Sequence, residues 1–324
     1  MSDTAQSAGA VLFLRAQTSL HPGAGDSVGS VDLPVQRERH TGWPLIQGTA
    51  LKGVLRDQYR LDLMRKRPGM NHKAADEHAS TSAIFGPSNN PEAPDDEHRV
   101  GALMITDARI LAFPVRSAVG VFAWVTCEGV LERLRRDLAM IAVREDAMPP
   151  LFGVGASEAA VSSQMQIGDS VIFEDLLLRP DAQTQRQLAE LGRWVKNHAF
   201  AGPALSALAD PCQRLSVIGD DAFTHLVKHA TEIATRIRLN PESKTVERGA
   251  LFSQELLPPE TMMYAVLLAQ RAKAKEVDLP ARSVLAEIRA ICDGKPIQIG
   301  GDETTGKGWC WAKAQAAEEF TGAK

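Results

Sequence analysis

The segment 31–44 brings together side chains of the kinds that act on phosphate esters. Asp32, Glu38 and His40 stand within it beside two arginines. A carboxylate close to basic side chains in an irregular segment is suited to metal-assisted phosphodiester chemistry. An aspartate in a loop also commonly caps a turn, so the residue types by themselves leave both roles open for Asp32.

Two glycine-rich segments resemble nucleotide-binding loops but match neither fingerprint. Residues 21–29 contain the spacing G-x-G-x-x-x-G, one residue too long for a dinucleotide site, and Pro34 and further glycines interrupt the helix that should follow. Residues 301–308 nearly spell a P-loop, but Gly308 replaces the required serine or threonine. We therefore reject both nucleotide sites. Glycines here serve either tight turns or a close backbone approach to a ligand, and the amides of residues 301–308 could contact a nucleic-acid backbone.

A basic stripe follows the glycine-rich start of the chain. A helix is predicted from Thr49, which is a plausible N-cap. Lys52, Arg56 and Arg60 are spaced at i, i+4 and i+8, so they lie on one stripe of this helix. Free amides at a helix N-terminus favour the binding of phosphate, and the basic stripe extends this preference along the helix. The alternative is that the stripe is an ordinary solvated face of the helix.

Histidines and cysteines do not form a metal-binding pattern. His225 and His229 are spaced i, i+4 on a predicted helix, but the sequence places no third ligand near them. The four cysteines are scattered, and none belongs to a C-x-x-C pair, which argues against a zinc ribbon or a disulfide framework. Free thiols indicate a reducing compartment.

Composition is that of an ordinary globular protein. Of the 324 residues, 44% are hydrophobic and 23% are charged, and the net charge is −4 at pH 7. This balance excludes a uniformly basic nucleic-acid-binding surface but permits a local basic groove. Because no apolar run approaches the length of a membrane span and no signal peptide is visible, we expect a cytoplasmic location and no membrane partner.

The elements that must position these residues follow from hydrophobic periodicity. A strand with one wet face is predicted at residues 11–20, and residues 21–48 are too rich in glycine and proline for a regular element. Residues 236–256 have the form of a long hairpin. Further strands are predicted at residues 102–113, 119–126, 171–178, 261–268 and 309–313, and further helices at residues 131–142, 183–198, 221–230 and 281–292. Because strands and helices do not alternate regularly, we expect an α+β fold with helices on one face of an antiparallel sheet.

The run from residue 21 to residue 56, HPGAGDSVGSVDLPVQRERHTGWPLIQGTALKGVLR, resembles the signature of the RAMP superfamily of CRISPR proteins. Within that superfamily it is most similar to the backbone subunit of the type III-B (Cmr) effector complex. The similarity extends to further segments at residues 85–86, 101–108, 116–117, 249–252 and 299–308, and therefore covers both ends of the chain.

The resemblance implies a single RAMP domain spanning residues 1–324. Its expected core is an RRM-like, ferredoxin-type antiparallel sheet with large insertions. The insertion loop 21–48 would carry the active site, a helical insertion would occupy about residues 130–230, and a thumb-like β-hairpin would occupy about residues 236–256.

The resemblance also implies a function. The subunit would bind guide RNA along its length and cleave complementary, single-stranded target RNA endonucleolytically in antiviral defence, as one of several copies in a helical filament with other Cmr subunits. The reaction would need a divalent metal ion, magnesium or manganese. Asp32 would be catalytic and hold the metal, and His21 would be catalytic. The implied RNA-binding residues are Gly23, Gly25, Arg37, Arg39, Lys52, Arg56, Gly300, Gly301, Gly306 and Lys307.

One departure from the family and two alternative functions bear on this interpretation. Gln254 and Leu256 stand where acidic or aromatic residues are expected in relatives, which leaves Glu255 as the only candidate there for catalytic help. The chain could instead be a non-catalytic, RNA-binding scaffold of the same class of complex, with Asp32 as a turn residue. An unrelated metabolic enzyme with a phosphate-binding glycine loop is the third interpretation.

Overall fold

The computed structural model describes residues 7–25, 30–87, 100–203, 210–240, 242–274 and 277–321, without the side chains of residues 238, 239 and 247–250. Residues 26–29 of the first glycine-rich segment and residue 241 of the predicted hairpin lie outside this range. Within the described part, no helix has both the length and the apolarity needed to cross a membrane.

The described residues form sixteen strands and eight α-helices. The strands are β1 (Ser7–Ala16), β2 (Leu45–Ile46), β3 (Leu103–Ile105), β4 (Ala108–Ser117), β5 (Val121–Cys127), β6 (Glu158–Ala160), β7 (Val171–Phe173), β8 (Leu176–Pro180), β9 (Leu215–Ile218), β10 (Glu232–Leu239), β11 (Val246–Leu256), β12 (Met262–Gln270), β13 (Ala272–Ala274), β14 (Val277–Leu279), β15 (Lys295–Gln298) and β16 (Trp309–Ala316). The helices are α1 (Gly48–Lys66), α2 (His72–Asp76), α3 (Ala79–Phe85), α4 (Glu128–Met140), α5 (Gln185–Trp194), α6 (Pro211–Arg214), α7 (Asp220–His229) and α8 (Ala281–Cys292).

Twelve of these strands form one continuous sheet. Its order is β15-β16-β1-β12-β4-β5-β9-β6-β8-β7, with β2 paired to β4 and β3 paired to β12. From β15 to β5 every neighbouring pair in this order is antiparallel. Helix α8 packs on β1, β12 and β16, and α1 packs beside α8, so the two helices support the sheet that leads into the loop carrying Asp32.

The far end of the sheet closes on itself. Ser117 of β4 pairs with Phe173 of β7, so β4, β5, β9, β6, β8 and β7 form a closed six-stranded barrel. The barrel is mixed, because β5 runs parallel to β9 and β6 runs parallel to β8. The RRM-like, ferredoxin-type antiparallel core expected from the resemblance is therefore wrong, although the chain is α+β overall.

The six-stranded barrel could not be predicted from local sequence patterns, because its strands are short and some of their partners lie far away in the sequence. Trp124 pairs with Leu215, which lies 91 positions later, and β6 and β7 have only three residues each. Neither a two-residue periodicity nor a short connection reveals such pairings. The segment 130–230, expected as a helical insertion, accordingly contributes β6 to β9 as well as helices.

Strand β1 is buried on both faces, contrary to the expectation of one wet face. It lies between β12 and β16. Phe13 packs edge-on against Trp194, with ring centroids 6.2 Å apart. Arg15 is fully buried, and its guanidinium donates to the Ala201 carbonyl oxygen at 2.8 Å and pairs with Glu260 at 3.1 Å. An arginine predicted to face water thus becomes part of the interior because distant segments supply its partners.

Helix α1 begins at Gly48 rather than at a capping Thr49. The residue before it, Gln47, makes no side-chain cap. Instead the Gly48 amide donates to Asp107 Oδ1 at 2.7 Å. A Cβ at Gly48 would lie 2.6 Å from the Ile105 carbonyl oxygen, so only glycine permits this close approach of the helix to the sheet.

Strands β10 and β11 form a separate antiparallel hairpin. It begins at the pair Glu232–Leu256, four residues before the predicted start. Ile237 and Leu251 face each other across the two strands, and Ile233 shares their side of the hairpin. All three side chains are more than half exposed, so this side presents an apolar surface to its surroundings.

Candidate active site

Three segments meet at the base of the β10–β11 hairpin. The irregular segment after β1 pairs with β11 through the bridge Leu33–Gln254 and with the residue that follows β11 through the bridge Leu20–Leu257. The glycine-rich loop before β16 joins the same segment, because the Gly301 amide donates to the His21 carbonyl oxygen at 3.1 Å. The structure therefore assembles the sequence-predicted loop, the hairpin and the terminal glycine-rich loop around one place.

Asp32 is exposed and is held by a single residue of β11, Ser253. Its Oδ2 accepts hydrogen bonds from the Ser253 amide at 2.7 Å and from the Ser253 hydroxyl at 2.8 Å. The Asp32 amide donates in return to Ser253 Oγ at 3.1 Å. The backbone and side-chain hydrogen bonds from Ser253 lower the pKa of the Asp32 carboxyl, so it is ionised at neutral pH.

The second oxygen of this carboxylate is the one available to a ligand. Within the described part of the chain, Asp32 Oδ1 makes no hydrogen bond, and no group of three or more His, Cys, Asp or Glu side chains is arranged to hold a metal ion. Magnesium is commonly held by one or two carboxylates together with phosphate oxygens of a substrate. An exposed carboxylate with one oxygen free of hydrogen bonds is the type of ligand that this mode of binding requires.

His21 is buried beside the same strand. Its Nδ1 lies 2.7 Å from the Glu255 carbonyl oxygen. Because a carbonyl can only accept, Nδ1 carries the proton and Nε2 of the neutral ring is left as an acceptor. Gly23 and Gly301 flank the ring, and a Cβ at Gly23 would lie 2.8 Å from His21 Nε2. Glycine at position 23 therefore keeps this nitrogen uncovered.

Glu255 uses its buried carboxylate to hold the loop that carries Asp32. Oε2 accepts from the Val35 amide at 3.0 Å, and Oε1 accepts from Arg37 Nη2 at 2.5 Å and from the Thr231 hydroxyl at 2.9 Å. Arg37 also donates through Nη1 to the Gly42 and Val227 carbonyl oxygens, each at 2.9 Å. Arg37, predicted as an RNA-binding residue, is thus engaged with protein groups through both terminal nitrogens.

The glycine-rich loop is tied to the opposite side of the hairpin. Asp302 Oδ2 accepts from Gln254 Nε2 at 2.7 Å and from Arg236 Nη2 at 3.0 Å. Gly300 has a φ of +81°, and a Cβ there would lie 2.4 Å from the His21 carbonyl oxygen, so glycine is required for this close packing. Ser253, Gln254 and Asp302 carry no chemical signature in the sequence; their contacts join residues about 50 to 220 positions apart.

The other predicted RNA-binding residues of the loops remain near the surface. Gly25 and Gly306 have φ values of +85° and +79°, and a Cβ at either would meet open space. Lys307 is partly exposed on the terminal loop, and Arg39 is exposed on the turn that follows Arg37. These four positions leave the backbone and side chains of both loops accessible to a polyanion.

The turn bearing Arg39 is held in place by contacts of its neighbours Glu38 and Trp43. Glu38 pairs with Arg133 of α4 at 2.7 Å, and the Arg133 guanidinium lies 4.8 Å from the centre of the Trp43 ring. Trp43 packs edge-on against Phe223, with ring centroids 5.3 Å apart. Glu38, which the sequence suggested as a possible catalytic group, is therefore a structural residue that presents Arg39 to solvent.

The basic stripe of α1 is only partly free. Arg56 Nε and Arg60 Nη1 both donate to Asp76 Oδ1, at 2.8 Å and 3.1 Å. Burial, with a smaller contribution from the Arg56 charge, lowers the pKa of Lys52. Of the three residues, Lys52 is the one without an ion pair in the described part of the chain.

The β10–β11 hairpin, the segment carrying the exposed Asp32 and the terminal glycine-rich loop thus form one site. Residues 13–311 match the RAMP superfamily. The chain belongs to that superfamily, as the motifs in residues 21–56 and 299–308 predicted.

Individual relatives agree with this assignment. The chain is 36% identical over 294 residues to the CRISPR system Cmr endoribonuclease Cmr4 of Pyrococcus furiosus, covering 90% of each protein. Its fold matches the crystal structure of oligomeric Cmr4 from Pyrococcus furiosus with a TM-score of 0.69 and 29% identity, over 97% of this chain and 100% of that one. A subunit of the type III-B Cmr-beta complex bound to cognate target RNA shares the fold, with a TM-score of 0.66 and 22% identity, over 97% of this chain and 98% of that one.

Proposed function

We propose that this chain is the backbone subunit of a type III-B CRISPR ribonucleoprotein, which binds guide RNA along its length and cleaves complementary target RNA in antiviral defence. Superfamily membership and the name of the Pyrococcus furiosus relative support the proposal. The structural observation that carries it is the exposed Asp32 carboxylate, held in place and kept ionised by Ser253. Complexes assembled entirely from Asp32→Ala subunits test it, since they are expected to bind target RNA without cutting it.

The two candidate catalytic residues are attached to the same strand. Asp32 is bound by Ser253 and His21 by Glu255, so their anchors lie two residues apart on β11, an interval of roughly 7 Å. We infer that His21 Nε2 accepts the proton of a 2′-hydroxyl as its oxygen attacks the adjacent phosphorus, while Asp32 Oδ1 faces the scissile phosphate. The bond from phosphorus to the 5′-oxygen then breaks, which leaves a 2′,3′-cyclic phosphate on one product, and the 5′-oxygen of the other product takes a proton from water. A divalent cation, magnesium or manganese, bound by Asp32 and phosphate oxygens would supply Lewis-acid stabilisation of the developing charge.

The remaining contacts of this proposal position the RNA and do not read its sequence. Phosphate contacts set the register of a nucleic acid, and pairing with the guide supplies the sequence information. Gly25, Gly306, Arg39 and Lys307 lie on the exposed parts of the loops around Asp32 and suit such contacts. A net charge of −4 is compatible with this function, because the basic groups need only line one groove.

Lys52 provides a test of guide binding. Because Arg56 and Arg60 are held by Asp76, Lys52 is the residue of the stripe that can release a counterion on binding phosphate. Lys52→Ala is expected to weaken RNA binding about tenfold at low salt for every sequence and to reduce the salt slope by about one. Fluorescence anisotropy with two unrelated RNAs over a range of salt concentrations measures both quantities.

The matched control for Lys52 is Lys66, in the last turn of the same helix. Lys66 is paired with Asp62 at 2.7 Å, so Lys66→Ala should change neither the affinity nor the salt slope. An unchanged salt slope for Lys52→Ala would show that the stripe is an ordinary solvated face of α1.

We further propose that the apolar side of the hairpin contacts a neighbouring copy in a filament, which is the role of a thumb. Ile237 and Leu251 are 51% and 65% exposed and lie opposite each other. Burying the exposed part of each contributes roughly 1 kcal/mol, so the double substitution Ile237→Ser and Leu251→Ser should raise the dissociation constant of self-association roughly 30-fold.

Sedimentation velocity over a concentration series measures this effect. Leu177→Ser is the control, because Leu177 is 68% exposed but lies on the barrel. Equal losses of self-association in both variants would place the contact between copies elsewhere than on the hairpin.

One observation also favours the scaffold alternative. The reciprocal hydrogen bonds between Asp32 and Ser253 resemble those of a residue that stabilises a loop. A scaffold would keep these bonds for stability alone, and cleavage would then survive the loss of the Asp32 carboxylate.

A further inference from the structure

Ser253 makes an unusual set of contacts with Asp32. Its amide and its hydroxyl both donate to one carboxylate oxygen, Oδ2, at 2.7 Å and 2.8 Å. The same hydroxyl oxygen accepts the Asp32 amide at 3.1 Å. The hydroxyl is therefore bonded to both the backbone and the carboxylate of Asp32.

This arrangement fixes the direction of the hydroxyl proton and of the carboxylate. Because the Asp32 amide can only donate, the Ser253 hydroxyl must receive that bond on a lone pair and give its proton to Oδ2. With both bonds directed to Oδ2, rotation of the carboxylate is restrained and Oδ1 points away from Ser253. Within the described residues Oδ1 has no hydrogen-bond partner, so it is the oxygen presented to solvent.

The residues that follow Ser253 on β11 bind other parts of the protein. Gln254 points to the other side of the hairpin, where it binds Asp302, and the side chain of Glu255 binds the loop at Val35 and Arg37. Neither touches the Asp32 carboxylate. Ser253 is thus the residue of the described chain that sets the orientation of Asp32.

We propose that Ser253 is a positioning residue for RNA cleavage, which fixes the Asp32 carboxylate so that Oδ1 alone faces the RNA backbone. This inference rests on the proposed function of Asp32 as the catalytic carboxylate. A hydroxyl at position 253 is the feature required, and threonine supplies it on a strand as well as serine does.

The test compares Ser253→Ala with Ser253→Thr in complexes reconstituted with guide RNA. Ser253→Ala keeps the bond from the residue 253 amide but loses both hydroxyl bonds, and a small displacement of a reacting group lowers the rate by up to about a hundredfold. The single-turnover rate constant at saturating target should therefore fall roughly 10- to 100-fold, with target affinity unchanged. Ser253→Thr should restore the rate to within about threefold of the unsubstituted complex.

Thr235→Ala is the matched control. Thr235 lies directly opposite Ser253 on β10 and also carries a hydroxyl, but the hydrogen bonds of Asp32 within the described residues go to Ser253 and not to Thr235. Its substitution should leave the rate unchanged. Crystal structures of the unsubstituted and Ser253→Ala subunits give a second readout, in which the Asp32 carboxylate should keep one orientation in the former and adopt more than one in the latter.

The outcomes separate this inference from the function on which it rests. If Asp32→Ala abolishes cleavage but Ser253→Ala cleaves at the normal rate, the positioning role is wrong and the proposed function stands. If Ser253→Ala weakens target binding, or if threonine fails to rescue the rate, Ser253 has only a general structural role. If Asp32→Ala itself cleaves normally, the proposed function is wrong, and the positioning role of Ser253 is wrong with it.

Discussion

Asp32→Ala is expected to lower target RNA cleavage on the order of a thousandfold, because the carboxylate would hold the cation that stabilises the reacting phosphate by several kcal/mol. Target affinity should stay within about twofold, since guide pairing and phosphate contacts elsewhere supply the binding energy. Asp32→Asn should lose as much activity, because its amide oxygen can keep the bonds from Ser253 but carries no charge. Reconstituted complexes and end-labelled target RNA, followed by gel electrophoresis and a filter-binding assay, measure both quantities.

Glu303→Ala is the control for this experiment. Glu303 is an exposed carboxylate on the neighbouring glycine-rich loop, so it tests whether any negative charge near the site would matter. We expect full activity from this variant. Retained cleavage by Asp32→Ala at every position of the target would contradict the catalytic assignment and favour the scaffold.

Glu255→Ala should have the second-largest effect, and it should act on both stability and activity. The substitution leaves Arg37 without its carboxylate and the Val35 amide without an acceptor. Removing one member of a largely buried ion pair typically costs 3–5 kcal/mol, and Arg37 retains some exposure, so we expect a loss of about 3 kcal/mol in the free energy of unfolding. The rate of cleavage should also fall, because the loop that carries Asp32 is no longer held against β11. Urea unfolding of the isolated subunit and the single-turnover assay measure the two effects.

The Arg271–Asp278 pair is a matched control for Glu255. Both pairs have a closest distance of 2.5 Å, but the Arg271–Asp278 pair is more than half exposed, whereas the Glu255 side chain is 8% exposed. Asp278→Ala should therefore leave stability and cleavage nearly unchanged. The double variant Arg37→Met and Glu255→Ala should be less destabilised than the sum of the single variants, because it leaves no buried charge uncompensated. Strict additivity would show that Glu255 does not act through Arg37.

The outcome for Glu255 also decides between two roles for this residue. If Glu255 were a catalytic group, the Glu255→Ala variant would lose cleavage activity without a change in its free energy of unfolding. The structure favours a supporting role, because both of its carboxylate oxygens are occupied by Val35, Arg37 and Thr231. We therefore expect Glu255 to affect cleavage by holding the loop that carries Asp32 in position.

Local patterns in the sequence determined much of the secondary structure and the location of the site. The helix predicted at residues 281–292 is confirmed as Ala281–Cys292, because its apolar side chains recur with the helical period and Pro280 precedes it. The superfamily assignment is also confirmed, because its motifs are contiguous runs that need no knowledge of the fold. Asp32 was selected by residue type within one irregular segment, whereas His21 was selected through the resemblance to the superfamily.

Tertiary structure alone decided what those residues contact. The six-stranded barrel depends on the Ser117–Phe173 and Trp124–Leu215 pairings, and neither is encoded by local periodicity. Arg37 has the charge of an RNA-binding residue, yet the fold places it against Glu255, 218 positions away. A side chain's type fixes which bonds it can make, but its partners are set by which distant segments the buried core brings together. For that reason the sequence alone could indicate Asp32, whereas only the folded chain shows that Ser253 holds it.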